Sequence, residues 1–458
     1  MRKVGLYTLG CKVSLYETEA ISEAFSAAGY EVAPFSEVCD VYVINTCTVT
    51  AESDAKSRKY IRRAIRKNPD AVVIVIGCYS QRAPEEVAAI DGVSAVLGTA
   101  DKMKCVEIAS RLLDEKSAKC KVQSAKLASP SRRGGSEADG EVLKTEIFVI
   151  PLDGASFEPM CVKRAPRTRA YVKIEDGCEC KCTYCAISGA RGPVRSKRPE
   201  EVISEVEGLY KGGTLEIVLT GIETGSYGAD FDEKYDLADL ICELDRRHSC
   251  ERIRLGSMAP ELLSEKFMEK IANTKIMVPH FHISMQSGAD NVLRGMKRRY
   301  NRDMALKNIQ RIREIMPNVM LTADLMVGFP GESEADFADT LAFVREAMLL
   351  DAHVFAYSKR EGTPAADFDG QIPENVKKER SGKLILECAR VRDEILDRVV
   401  AEGDPLSCIL ESFSKGLYTA HSDSYIEVRV EGERGLSGNL VSVKPTHHEN
   451  GVIYGKIV

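Results

Sequence analysis

Three short apolar runs in the first hundred residues each end in a cysteine, and this repeat narrows the possible folds more than any other feature. Val4–Gly10 reads as a buried strand and Cys11 follows it; Asp40–Thr46 is followed by Cys47, and Ala71–Gly77 by Cys78. Between them lie helical patterns, Glu17 to Ala28 stopped by Gly29, and Ser53 to Lys67 stopped by Asn68-Pro69. A fourth unit pairs strand Ala95–Leu97 with a helix over Lys102–Glu115. Strand–helix alternation of this kind predicts a parallel, doubly wound sheet. The carboxyl ends of such strands share one edge where ligands bind, so the three cysteines converge although they are distant in sequence.

The chain has 458 residues, room for two to four domains. It contains no stretch of about 18 apolar residues, which excludes a transmembrane helix, and its start lacks the continuous apolar run of a signal peptide. A cytoplasmic protein is expected, in which the fifteen cysteines are thiols rather than disulfides. Cys11, Cys47 and Cys78 are read either as buried structural thiols or as metal ligands. Three thiolates without a fourth protein ligand suit an iron–sulfur cluster whose last iron is open; a structural zinc site takes four ligands.

A second, tighter set follows the strand Arg169–Ile174: Cys178, Cys182 and Cys185 at C-x3-C-x2-C spacing, with Tyr184 before the last. A short loop of this spacing can put three thiolates on three corners of a cubane. Cys180 lies inside the loop and is taken as a bystander; the competing reading is a zinc knuckle of Cys178, Cys180, Cys182 and Cys185.

C-x3-C-x2-C with an aromatic before its last cysteine resembles the radical S-adenosylmethionine (SAM) superfamily. Together with Cys11, Cys47 and Cys78, nearly the whole chain resembles the methylthiotransferase family. Thr8–Glu19, Ala190–Arg195, Ser284–Gly288, Val327–Glu332 and Ala356–Pro364 are similar to the branch acting on N6-threonylcarbamoyladenosine in tRNA. Two positions depart from the family pattern, Ser14 where Asn is usual and Ser188 where Pro is usual.

Beyond the second cysteine set, strands are expected at Glu216–Thr220, Arg252–Ser257, His280–Met285, Met320–Val327 and His353–Tyr357. Helices are expected at Glu200–Tyr210, Leu237–Arg247, Pro260–Asn273, Ala289–Ile315, Glu334–Met348 and Glu374–Val400. With the strand before Cys178 this makes six β/α units, too few for an eight-stranded barrel but suited to an open, partial (β/α)6 one. Its carboxyl rim would carry Cys178–Cys185 beside Gly221, Glu223, Ser257, Gln286, Asp324 and Tyr357. The resemblance implies that SAM sits there: Gly221 and Glu223 near its amino end, Arg299 at its carboxylate, Ser257, Gln286 and Asp324 at the ribose, Val327 and Tyr184 at the adenine.

The fold class expected is α/β: an N-terminal methylthiotransferase domain (1–116), a Ser/Ala/Gly-rich linker (117–163), a radical SAM domain (164–398) and a small all-β barrel (399–458) resembling the TRAM module. The net charge of −6 averages over unlike regions. From Val400 to Val458 five Lys or Arg stand against eight Asp or Glu. Seven of the twelve residues Lys56–Lys67 are basic, as are eight between Arg294 and Arg313, with shorter groups at Lys163–Arg169 and Arg191–Arg198. Several basic groups on an acidic chain point to a polyanion, and Arg191, Arg195 and Arg298 are named as substrate contacts.

The resemblance implies two [4Fe–4S] clusters and SAM as cofactors. The cluster on Cys178, Cys182 and Cys185 would generate a 5′-deoxyadenosyl radical that takes hydrogen from C2 of the modified adenosine at position 37. The cluster on Cys11, Cys47 and Cys78 would hold sulfur, and a second SAM would give the methyl group. No side-chain acid–base set is assigned. The implied partners are tRNA and an electron donor such as flavodoxin or ferredoxin, with no membrane and a monomeric chain. The alternatives are the same reaction on isopentenyladenosine or a ribosomal-protein aspartate, and a non-catalytic, metal-stabilised RNA-binding protein.

Overall fold

The computed structural model describes residues 1–127 and 145–458, with side chains described outside 119–144. The described residues group into two compact units, Met1–Met160 with Gly189–Gly192, and Cys161–Ser188 with Pro193–Val458.

In the first unit, β1 (Lys3–Thr8), β2 (Glu31–Ala33), β3 (Val41–Thr46), β4 (Val72–Gly77), β5 (Ala95–Leu97) and β6 (Glu146–Phe148) form one parallel sheet in the order β2-β1-β3-β4-β5-β6. Strands covered on both faces are largely apolar, as in β3 and β4, where every residue is buried and only Asn45 and Thr46 at the end of β3 are polar. Alternate residues serve opposite faces: Val41 and Val43 pack with Phe25 and Ile108, whereas Tyr42 and Ile44 pack with Ile61 and Val87. Helices Lys12–Ala27 and Cys105–Leu127 therefore cover one face, and Ala51–Lys67 and Pro84–Ala88 the other. The doubly wound reading holds.

The stretch expected as a linker differs from that reading. Residues 117–127 continue the helix Cys105–Leu127, and β6 pairs with β5 as an edge strand. Lys, Ala and Gln extend a helix by propensity without any apolar period, which is why composition alone suggested a linker. The rest of that expectation, 128–144, lies outside the described residues.

In the second unit, β7 (Arg169–Lys173) leads into β8 (Glu175–Asp176), which pairs antiparallel with β9 (Arg195–Ser196). Then come β10 (Glu216–Thr220), β11 (Arg252–Leu255), β12 (Ser257–Met258), β13 (His280–Gln286), β14 (Met320–Val327) and β15 (Asp351–Ala356). They form parallel sheets β7-β10-β11 and β12-β13-β14-β15, with β11 and β12 the two halves of one strand interrupted at Gly256. Six strand positions thus make an open partial barrel. The single helix expected over Ala289–Ile315 is two, Asp290–Gly295 and Arg302–Ile315. Lys297 between them is left-handed at φ 57°, and the break turns Arg298 inward.

The chain ends in a closed five-stranded barrel of β16 (Leu406–Ser414), β17 (Leu417–Ser422), β18 (Glu427–Glu431), β19 (Leu440–Glu449) and β20 (Val452–Ile457), in the order β16-β17-β18-β20-β19. Closure leaves no unpaired strand edge. Within the second unit this barrel meets the starts of β7, β10 and β11: Glu216 is buried between Arg169 (2.7 Å) and Arg254 (2.8 Å), and Arg169 also pairs with Glu411 at 2.7 Å. Tyr425 stacks on His280 with ring centres 4.7 Å apart. Part of the acidic tail is thereby neutralised inside the unit. Among the described residues no helix is long and apolar enough to cross a membrane.

Candidate metal centres and the cofactor rim

The sheet order of the first unit changes direction between β1 and β3, and crevices at such switch points bind ligands. Cys11 follows β1, Cys47 follows β3 and Cys78 follows β4, so all three stand at this edge. Cys11 is the exposed N-cap of helix Lys12–Ala27, Cys47 is buried, and Cys78 opens helix Cys78–Arg82. Two of the turns need glycine. Gly77 has φ 101°, and a Cβ there would lie 2.6 Å from both Asn45 Oδ1 and the Thr46 carbonyl; Gly10 has φ 120°, and a Cβ there would lie 3.4 Å from Cys47 Sγ. Burial pushes the Cys78 thiol up to about 11, with the neighbouring Cys47 and Cys11 adding to it and Arg191 opposing it.

Arg191 is the residue that sequence reasoning placed wrongly. It is fully buried, donates from Nη1 to Glu17 Oε1 at 2.6 Å, and from Nε to Cys78 Sγ at 3.1 Å. Lys102, also fully buried, reaches the same Glu17 oxygen at 2.8 Å. A buried charge survives only when it is paired; Glu17 and Glu158, the latter 4.0 Å from Lys102, balance Lys102 and Arg191, which leaves Arg191 no surface on which to meet RNA. Arg195 is corrected for the same reason: it is buried beside Asp176 at 3.6 Å, where Lys173 also pairs at 2.6 Å. Glu17 lies within the Thr8–Glu19 segment but was not singled out there, and Lys102 carried no motif that could have marked it.

The second cysteine loop hangs from β7 and is pinned by Thr183, whose N–H donates to the Met296 carbonyl at 3.2 Å and whose hydroxyl donates to the Gly295 carbonyl at 2.8 Å. Each candidate sulfur receives an N–H: Cys178 from Cys180 N at 3.5 Å, Cys185 from Ile187 N at 3.4 Å, and Cys182 from Arg298 Nη1 at 3.2 Å. Arg298 is half-buried, and its Nη2 also donates to the Ser284 carbonyl at 3.0 Å. It is therefore committed to the cysteine loop rather than to an RNA surface. Arg299, next to it, is exposed, and its charge helps to hold the Cys180 thiol down, after the hydrogen bond with Cys178.

Among the described residues no three His, Cys, Asp or Glu side chains gather closely enough to hold one metal ion. A four-thiolate zinc knuckle needs sulfurs about 3.8 Å apart around Zn–S bonds of about 2.3 Å, a closer gathering than Cys178, Cys180, Cys182 and Cys185 show here. A cubane asks for wider spacing, because each thiolate bonds a different iron, and it favours sulfurs that accept N–H hydrogen bonds. The donor set fits that group.

Around the same rim, a Cβ on Gly221 would lie 2.3 Å from Glu175 Oε2, which also accepts from Glu223 N at 3.0 Å. Glu223 accepts from Ala259 N at 3.2 Å, and burial pushes its carboxyl up to about 8. Burial likewise raises Glu175, whose Oε1 has no hydrogen-bond partner. Two buried acids with spare acceptor capacity suit a cationic ligand. Asp324 stands between His282 Nε2 (3.3 Å) and His353 Nδ1 (3.4 Å); burial opposes its charge, and the two imidazoles outweigh burial and hold the carboxyl well below its usual range. Gln286 ends β13 in the left-handed region at φ 66°, a strained placement found where structure over-determines a functional position. Ser257 is half-buried on β12, Val327 is buried at the end of β14, and Tyr184 packs beside Met296, Phe329 and Tyr357. Glu175, His282 and His353 were not singled out from sequence; only the strand register brings the two histidines to Asp324.

The family model described as Radical SAM superfamily matches residues 172–344, and that described as uncharacterized protein family UPF0004 matches residues 3–98. Threonylcarbamoyladenosine tRNA methylthiotransferase MtaB of Bacillus subtilis (strain 168) is 39% identical over 97% of this chain and 94% of its own length. The protein of the same name from Aquifex aeolicus (strain VF5) is 33% identical over 96% and 99%. A tRNA-2-methylthio-N(6)-dimethylallyladenosine synthase of Desulfitobacterium hafniense (strain Y51) is 31% identical over 99% and 97%. Among solved structures, the radical SAM methyltransferase TsrM of Kitasatospora setae superposes with TM-score 0.53 at 17% identity, over 80% of this chain and 74% of its own, a likeness of fold.

Proposed function

The chain belongs to the radical SAM methylthiotransferase family, and from that premise we propose that it adds a methylthio group to C2 of N6-threonylcarbamoyladenosine at position 37 of tRNA. The observation that carries the substrate is the 39% identity, end to end, with a relative named for it. On this reading Cys178, Cys182 and Cys185 hold the cluster that works with SAM, and Cys11, Cys47 and Cys78 hold a second one. When bound, these groups supply one-electron chemistry and sulfur for a C–H bond that side-chain acids and bases cannot open.

The chain's own residues bind, orient and shield. Arg298 donates to Cys182 and ties it to the Ser284 carbonyl, fixing the loop against β13. Arg191 does the same for Cys78 through Glu17. Glu223 and Glu175 offer buried carboxyls to the cationic end of SAM, and Gly221 keeps that approach open. Asp324, oriented by His282 and His353, is placed to accept from a ribose hydroxyl. Gln286, Ser257, Val327 and Tyr184 complete the rim, and Arg299 lies beside it for the SAM carboxylate. A flavodoxin- or ferredoxin-like donor would supply electrons to a monomeric chain.

Nucleoside analysis of tRNA from a strain lacking this chain tests the reading. Loss of the methylthiolated threonylcarbamoyladenosine, restored by the intact gene, is the expected result. Loss of the dimethylallyl counterpart instead would transfer the substrate to the other relatives' nucleoside. Unchanged nucleosides would leave a non-catalytic RNA-binding protein.

A further inference from the structure

The basic groups in the sequence meet different fates. Arg191 and Arg195 are buried, and Arg169 is held by Glu216 and Glu411. In the Arg294–Arg313 group, Arg302 pairs with Glu346 at 2.8 Å, Arg311 with Glu265 and Glu314, Arg313 donates to the Ala347 carbonyl at 2.6 Å, and Arg298 is committed to Cys182.

Arg294, Lys297, Arg299 and Lys307 of that group are exposed but are spread over two helices and the break between them, whereas helix Ala51–Lys67 gathers its unpaired cations on one face. Asp54, Ser57, Ile61 and Ala64 form its buried side. Lys56 pairs with Glu52 and Arg58 with Glu86. Lys59, Arg62, Arg63 and Arg66 are exposed and meet no carboxylate among the described residues. They occupy positions i, i+3, i+4 and i+7 of one face, so four like-charge neighbours repel, each pair costing ~0.2–0.5 kcal/mol. Solubility alone needs no such arrangement, because mixed charges achieve it. The stripe runs about 10 Å along the axis, enough for two or three successive phosphates. The helix starts just beyond Cys47, and Ser57 Oγ donates to the Cys47 carbonyl at 3.4 Å. Tyr60 stacks on Tyr7 at 3.8 Å, which fixes the helix against β1. Membrane-surface helices present an apolar side beside their cations, whereas here that side is buried.

We infer that Lys59, Arg62, Arg63 and Arg66 form a phosphate-docking face for tRNA on the first unit, on the helix that springs from the Cys47 edge. The inference rests on the tRNA reading above and adds where the polyanion is held. Each side chain meets backbone phosphate, so the face contributes affinity and register without reading bases.

The test is equilibrium binding of full-length, anaerobically reconstituted protein to whole tRNA between 50 and 300 mM salt, comparing wild type with Lys59→Gln/Arg62→Gln/Arg63→Gln/Arg66→Gln. The expected result is about tenfold or greater weakening and a loss of roughly 3 from the slope of log affinity against log salt, with iron content and circular dichroism unchanged. Arg246→Gln/Arg247→Gln, exposed positions paired with Glu243, should leave both quantities as in wild type. Unchanged affinity and slope in the fourfold variant overturn the docking face while wild-type binding keeps the tRNA reading alive. Equal weakening by both variants also overturns it, since the effect is then one of net charge. Retention of tRNA binding with loss of binding to anionic phospholipid vesicles overturns it in favour of a membrane surface. Wild type that binds no tRNA defeats the reading beneath it.

Discussion

The Nε of Arg191 donates to the Sγ of Cys78 at 3.1 Å while its Nη1 holds Glu17 at 2.6 Å. On the proposed reading Cys78 is a ligand of the first unit's cluster, and a guanidinium at its sulfur would stabilise the more negative state of that cluster, because charge and hydrogen bonds to sulfur set its potential. Arg191→Lys keeps a positive charge but loses the fork. In a Cys178→Ala/Cys182→Ala/Cys185→Ala background, which isolates the first unit's cluster, Arg191→Lys should lower the midpoint potential by on the order of 50 mV. Arg191→Ala leaves Glu17 to Lys102 but removes its charge-assisted hydrogen bonds, and should cost about 2 kcal/mol on unfolding. Redox titration and denaturant unfolding read the two effects; an unmoved potential would show that the contact does not tune the cluster.

Cys182→Ala should retain about half of the wild-type iron after reconstitution and yield no 5′-deoxyadenosine with dithionite and SAM. Cys180→Ser should keep wild-type iron and product, since Cys180 belongs to neither set of three. Iron and sulfide assays with product chromatography distinguish these outcomes from a loop that uses Cys180 as a ligand.

Glu223 gives a pH dependence of definite sign. Its carboxyl is raised by burial to about 8 from an ordinary 4.5, so between those values the folded state holds a proton that the unfolded chain has lost. Stability of the cluster-free protein therefore falls as pH rises across that window. Glu223→Gln removes the titration and can still accept from Ala259 N. Its melting temperature should exceed that of wild type by several degrees at pH 8 and converge with it near pH 5, and its SAM affinity should drop at both pH values. A constant difference in melting temperature across the window would refute the assignment.

Gly77→Ala places a Cβ in a left-handed turn 2.6 Å from Asn45 Oδ1. The strain of about 1–3 kcal/mol falls on the residue before Cys78, so the variant should melt earlier and hold less iron, the loss confined to the first unit's cluster. Comparing iron in this variant with and without Cys182→Ala locates the loss.

The apolar runs before Cys47 and Cys78 made the sheet legible, because a strand buried on both faces is mostly Val and Ile; the run before Cys11 is less buried and was legible from its alternation with helices. The helix through 117–127 and β6 were not legible, since one follows from propensity without periodicity and the other from hydrogen bonds with β5. Asp324 was visible as a polar strand end; His282 and His353 became its partners only through the register of β13, β14 and β15.

The sequence by itself determined that two sets of three cysteines stand at the carboxyl ends of strands, because strand period and turn glycines are local properties. Only the tertiary structure decided what the basic residues do. Arg191 lies 174 residues from Glu17 and Arg298 lies 116 from Cys182; Lys59, Arg62, Arg63 and Arg66 stay in solvent. Whether a cation is buried against a sulfur or left for a polyanion depends on whether the fold brings it a partner. No local pattern encodes that, since the desolvation cost of a charge is met by groups remote in the chain.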